Sequence, residues 1–245
     1  MKTRLLLALA LTLALAGVAS AGPILAGTVN GVLFCATDNN TVCNQGIQLP
    51  DLDPAAGSLQ LGNVTLGGVT VNSSTHTQVA GPTQDILNSQ SLQVINNTGG
   101  TITAEISVGG VDFVGPIETI STTGSGLWQN AVGSFGTMTW YADMFNAQGG
   151  ETFNDHPGIL LATFFDAATL AVDSFSVNGG PFPFVDGNLF SMTTNFQMSL
   201  VAGGQLNNRG QAMIADITAV PEPASMMLLG TGLLAALRAR RKLVR

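Results

Sequence analysis

Apolar and polar residues alternate with period two through most of this chain, and that pattern leaves room for little except β-strands. Ile102, Ala104, Ile106 and Val108 alternate with Thr103, Glu105 and Ser107. Phe190, Met192, Phe196, Met198 and Leu200 alternate with Ser191, Thr193, Asn195, Gln197 and Ser199. Met138, Trp140, Ala142 and Met144 share one side of a third segment. Each reads as a strand with one dry and one wet face. Weaker candidates are Thr28–Ala36, Leu59–Val71 with a break at Gly67-Gly68, Leu92–Ile95, Val111–Val114, Leu160–Phe165, Val172–Val177 and Ala212–Ala219.

Glycine-rich stretches punctuate these segments at Asn97-Thr98-Gly99-Gly100, Gly109-Gly110, Gln148-Gly149-Gly150, Asn178-Gly179-Gly180, Gly203-Gly204 and Asn207-Asn208-Arg209-Gly210, and they read as turns. Helical periodicity is nearly absent; one or two helical turns are expected at most, near Gln84–Gln90 or Leu127–Val132. The expected fold is all-β: a single antiparallel β-sandwich, jelly-roll-like, over residues 22–219.

Both ends of the chain depart from this pattern. Lys2 and Arg4 precede an apolar run from Leu5 to Ala16, and small residues follow, ending in Ala19-Ser20-Ala21. Charge, a short greasy stretch and an A-x-A exit make a secretory signal peptide over residues 1–21, with cleavage after Ala21. The run is too short for a permanent span, which needs about 20 residues. It also has no polar face to make it a buried helix of the domain.

At the other end, Pro221-Glu222-Pro223 leads into an apolar stretch from Met226 to Leu237, and Arg238, Arg240, Arg241, Lys242 and Arg245 close the chain. The prolines hold their stretch extended. The apolar stretch is expected to enter the membrane as a helix, with the basic tail left cytoplasmic by the positive-inside rule. A plain tail anchor is the competing reading. These three parts, in this order, resemble the PEP-CTERM sorting signal over residues 220–245. The resemblance implies an exported protein of a Gram-negative, polysaccharide-secreting bacterium. It also implies processing by an exosortase, a membrane cysteine transpeptidase. The short apolar run suits transient insertion in the inner membrane, with the product sent to the cell surface or the extracellular matrix.

Between the ends lie fourteen acidic residues and one basic residue, Arg209, a net charge near −13. Such a surface repels nucleic acid and anionic lipid, so membrane contact is expected only through the C-terminal segment. Disorder is rejected, because apolar residues make up 45% of the chain and alternate cleanly. Cys35 and Cys43 are the only cysteines; in an oxidising compartment they are expected to pair as a disulfide rather than bind metal.

Chemistry is sparse. His76 and His156 are the only histidines, and Asn154-Asp155-His156-Pro157-Gly158 reads as a turn. Neither sits in a catalytic motif, so no catalytic residue and no cofactor is assigned. Asp38-Asn39-Asn40, Asp51-Leu52-Asp53, Asn154-Asp155 and Asp186-Gly187-Asn188 are oxygen-rich enough for calcium, but solvated turns explain them more simply, and no metal ligand is assigned. Trp140 has the parity of the core, Tyr141 faces the other way, and Trp128 is expected in a loop. A non-enzymatic structural or interaction role is therefore expected, with extracellular polysaccharide as a candidate partner. A carbohydrate- or calcium-binding module is the alternative, and a flat pair of rings on one sandwich face would favour it.

Overall fold

A computed structural model describes residues 22–43, 45–72, 75–81, 83–186 and 188–217. The expected signal peptide, with Ala19 and Ala21, lies outside them. So do Pro221, Glu222, Pro223 and the basic residues Arg238, Arg240, Arg241, Lys242 and Arg245. No helix among the described residues is long and apolar enough to cross a membrane.

The described chain is an antiparallel β-sandwich. Its short strands come first: β1 (Ile24–Val29), β2 (Val32–Thr37), β3 (Ile47–Gln48), β4 (Ser58–Gln60), β5 (Val64–Leu66) and β6 (Val69–Asn72). Next follow β7 (Thr75–Ala80), β8 (Gln84–Gln90) and β9 (Leu92–Asn96). The long strands are β10 (Ile102–Val114), β11 (Ile117–Gln129), β12 (Phe135–Asp143), β13 (Ile159–Ala167), β14 (Val172–Asp186), β15 (Leu189–Leu200) and β16 (Gln205–Ile217).

One sheet has the order β13-β12-β15-β10-β1-β2-β3. The second is built on β16, which pairs with β11 along one edge and with β8 and β9 along the other; β14 extends it beyond β11. Every pairing is antiparallel except the short parallel match of β2 with β3. Alternation along the strands leaves each sheet with one dry face, and these faces meet in one core. Phe34, Ile106, Phe113, Trp140 and Phe190 come to it from the first sheet. Ile120, Trp128, Leu206 and Met213 come from the second.

The three strongest alternating segments lie in β10, β12 and β15, with the expected faces buried except at Met144, which lies beyond the end of β12 and is exposed. Several local expectations are corrected. Gln84–Gln90 is strand β8, and Leu127–Gln129 ends β11; the only helical turn described is a single 3-10 turn at Asp38–Asn40. Within Thr28–Ala36, Asn30 and Gly31 both take positive φ (48° and 79°) and fold the segment into the hairpin β1–β2. An Asn-Gly pair meets that requirement of a two-residue turn at low cost.

Three of the expected glycine turns are interior to strands instead. Asn178-Gly179-Gly180 lies in β14 and Asn207–Gly210 in β16, where the pairing with β11 shifts register. These are bulges, which bend and twist long strands. Gly109-Gly110 lies in β10 for another reason. A Cβ on Gly109 would collide with the backbone of Gly149, so the bare position lets the 144–158 loop lie flat on the sheet.

Cys35 and Cys43 form a disulfide with Cα atoms 6.1 Å apart. Closing so short a loop contributes about 2–3 kcal/mol by constraining the unfolded chain.

Candidate functional site

The outward face of the seven-stranded sheet is divided into two halves. Side chains of wet parity on β10, β12 and β15 point away from the core, and strand register places them in transverse rows. One row runs Phe165–Thr137–Gln197–Glu105–Thr28 across β13, β12, β15, β10 and β1. At the ordinary strand spacing this row is roughly 19 Å long. The next row along the strands is Thr163–Thr139–Asn195–Ser107–Ala26.

The second row is roofed by the 144–158 loop. Ser107 Oγ lies 2.9 Å from the Phe153 carbonyl, 2.9 Å from Asn195 Oδ1 and 3.1 Å from His156 Nε2. The His156 ring stacks on Tyr141, with centroids 4.9 Å apart and planes at 13°. The structure thus joins His156 to a serine, the pairing a hydrolase would need. Ser107 is fully buried, however, and its neighbours are a carbonyl, an amide and the imidazole. A hydroxyl with a single proton to donate and no solvent face is a clamp for the loop.

The first row is open. A groove of about 320 Å³ runs over it, with Glu105, Gln197, Thr28, Thr103, Thr137 and Phe135 among its lining. Glu105 stands at the boundary between the halves. Its Oε1 accepts from Asn195 Nδ2 at 3.1 Å and Gln197 Nε2 at 2.9 Å, and His156 Nε2 is 3.9 Å away. These bonds hold the carboxylate at the groove wall, its charge partly offset by two amides.

Phe135 lines the other end, with Phe165 beside it. Phe135 and Phe165 are 46% and 60% exposed, with centroids 6.0 Å apart and planes at 34°. Of the rings singled out from the sequence, Trp140 is in the core as expected, and Tyr141 faces outward beneath the His156 ring. Trp128 corrects the expectation of a loop: it lies in β11, wholly buried, and its Nε1 donates to Asp166 Oδ2 at 2.6 Å. The pairing of Phe135 with Phe165 is not signalled by the sequence, although Phe165 ends the strand candidate Leu160–Phe165 and Phe135 shares the parity of Thr137, Thr139 and Tyr141. Phe135 lies ahead of the segment that the alternation of Met138, Trp140, Ala142 and Met144 marks.

The oxygen-rich loops are also located. Asp38-Asn39-Asn40 and Asp51-Leu52-Asp53 do come together, but backbone amides take their oxygens. Asp51 accepts from Asn39, Asp53 and Gln60, Asp38 from Gly57, and Asn40 Oδ1 from Asp51, all within 2.7–3.0 Å. A hard cation needs those same lone pairs. Burial, helped by the neighbouring Asp51 and Asp53, raises the Asp38 carboxyl above its ordinary value. Asp155 accepts from the Glu151 amide at 3.4 Å; the Asp186 side chain and Gly187 lie outside the described residues. Among the described residues no three His, Cys, Asp or Glu side chains are placed to share a metal ion.

No curated protein matches the chain. Solved structures similar to it include TmCBM61 in complex with β-1,4-galactotriose, at 9% identity and a TM-score of 0.32, over 52% of this chain and 80% of that one. The C-terminal family 22 carbohydrate-binding module of Clostridium thermocellum Xyn10B is similar at 15% identity and a TM-score of 0.30, over 64% and 89%. The K3 cleaved adhesin domain of Lys-gingipain from Porphyromonas gingivalis is similar at 11% identity and a TM-score of 0.31, over 54% and 74%. At the C-terminus, residues 219–242 match the PEP-CTERM protein-sorting motif, so this chain ends in that sorting signal and is an exported protein.

Proposed function

We propose that this is a non-enzymatic surface or matrix protein that holds neutral extracellular polysaccharide in the groove of its seven-stranded sheet. The observation that carries this reading is the transverse row ending on Phe165, whose ring packs beside Phe135 of the neighbouring row. Sugars present apolar C–H faces and a rim of hydroxyls. Exposed rings suit the first, and the amide, hydroxyl and carboxylate groups of Gln197, Thr137, Thr28 and Glu105 suit the second. A net charge near −13 disfavours anionic polymers, so a neutral glycan is the fitting class. The rings share one sandwich face but are tilted at 34° rather than flat, so it is their exposure beside the groove that supports a carbohydrate module over a purely structural role.

The test is retention of the protein on polysaccharide stripped from its host's surface. Phe135→Ala with Phe165→Ala should weaken binding about tenfold or more, a change worth about 1.4 kcal/mol per decade. The melting temperature should hold, because both rings are largely outside the core. Undiminished retention of the double variant would sink the groove as the site.

The sorting signal supports a second part of the proposal. The mature chain is to begin near Gly22 and to lose its end beyond the Pro221-Glu222-Pro223 stretch, by exosortase cleavage after transient insertion in the inner membrane. Intact mass of the protein recovered from its host checks both ends at once. A mature species still ending at Arg245 would leave a simple tail anchor.

A further inference from the structure

The end of the sandwich from which the chain leaves for its C-terminal segment has a hollow with no charged residue in its lining. β10, β12, β14 and β16 finish there, and β11, β13 and β15 begin there. Val114, Met144, Phe145 and Leu189 line an open hollow of about 530 Å³ with Gly115, Asn146 and Asn188. Phe145 is 86% exposed, and the other three are between 41% and 46%. Contiguous exposed apolar side chains of this kind mark a contact surface.

Two nearby acids are engaged in local bonds. Asp112 and Asn146 bond reciprocally: the Asp112 amide donates to Asn146 Oδ1, and Asn146 Nδ2 donates to Asp112 Oδ1, both at 2.8 Å. Asp143, itself buried, accepts the Ala147 amide at 2.9 Å. The Gly115 amide donates to the Asn188 carbonyl at 3.0 Å, tying the two flanking loops together. These bonds hold Met144 and Phe145 outward.

The described chain stops at this same end. Ile217 pairs with Ile117, two residues beyond Gly115, and its amide donates to the Thr83 carbonyl at 3.1 Å. The apolar stretch starts at Met226, nine residues on, a reach of roughly 30 Å at full extension.

We infer that this end rests on the lipid surface while the C-terminal segment is inserted, an inference that depends on the reading of that segment as a membrane-entering signal. The rest of the domain is too acidic to approach an anionic surface, and exposed Glu118 and Asp216 flank this end as well, so the hollow, whose lining is apolar and uncharged, is the face that can make contact. Seated there, the sandwich keeps Pro221-Glu222-Pro223 at the membrane, where a membrane transpeptidase works.

The experiment uses the full chain, reconstituted in phosphatidylcholine vesicles whose acyl chains carry bromine, a contact quencher of tryptophan. Phe145→Trp places a reporter on the apolar end, and Leu170→Trp places one on the 62%-exposed Leu170 at the opposite end. Native Trp128 and Trp140 are buried and are subtracted from the unsubstituted chain. Emission from Phe145→Trp should be strongly quenched, and that from Leu170→Trp should be unchanged. Flotation with the vesicles but no quenching at position 145 overturns this inference and spares the sorting reading. So does quenching replaced by crosslinking between copies at position 145, which would make the hollow a self-contact. A chain that does not float removes both. None of these outcomes bears on the polysaccharide groove, which the Phe135 and Phe165 variants test.

Discussion

Trp128→Ala is expected to lower the unfolding free energy by about 3–5 kcal/mol, the largest effect of any single substitution considered for this fold. Trp128 is wholly buried in β11, and its indole N–H donates to Asp166 Oδ2 at 2.6 Å on β13 of the facing sheet. Its ring also stands 6.0 Å from Phe175 of β14, which in turn lies 5.9 Å from Phe164 of β13. One side chain therefore fastens the two layers where β13 and β14 meet. Alanine would open a cavity the size of an indole and strip the carboxylate of its donor. Trp128→Phe separates these contributions: it keeps much of the volume and should cost about 1.5–3 kcal/mol, the worth of a hydrogen bond to a charged group. Urea unfolding at constant m-value reads both variants. A Trp128→Ala protein within 1 kcal/mol of the original would show that the layers are fastened elsewhere.

Acid should destabilise the domain through His76. This histidine lies in β7 with no exposed surface, and burial lowers its pKa from 6.5 to about 3. The unfolded chain therefore takes up the proton first. Stability from the neutral imidazole is complete above pH 6.5 and is lost as pH falls toward 3. Each pH unit inside that window costs 1.36 kcal/mol, so the decline from pH 6.5 to 4 is about 3 kcal/mol.

Asp38 and Asp85 act with the opposite sign. Burial raises both carboxyls, even though Asp85 accepts the Val114 and Gly81 amides at 2.8 and 3.1 Å. Their folded forms bind a proton more readily than the unfolded chain does. They therefore add stability as pH falls through their raised values toward 3.8, which offsets part of the His76 effect. The clean measurement is the difference between the original protein and His76→Gln, taken by urea unfolding at pH 7 and pH 4. Parallel pH profiles for the two proteins would remove His76 as the acid-sensitive group.

Much of the architecture was legible in the residues alone. Alternation of Ile102, Ala104, Ile106 and Val108 with Thr103, Glu105 and Ser107 is enough to tell the dry face of β10 from the wet one, because successive side chains of a strand must point to opposite faces. The same parity identified Trp140 as core. Cys35 and Cys43 are eight positions apart and without rivals, so their pairing needed no tertiary information. The sorting signal is read in sequence by its nature, since it is a linear address rather than a folded surface.

What the tertiary structure decided is everything that depends on which strands become neighbours. Phe165 meets Phe135 of the neighbouring row, and Glu105 shares the row of Phe165, only because the sheet runs β13-β12-β15-β10-β1. That order brings residues some 140 positions apart into register. Alternation gives the face of each strand but not its partner. The burial of Trp128 likewise follows from a facing sheet that supplies Asp166 and Phe164. Gly109 looks like a turn residue in isolation, and it takes its real role from a loop some forty residues away that needs its missing side chain. Local chemistry sets propensity and parity within a strand; contact between distant segments is set by how the whole chain closes its core, and the groove is made of such contacts.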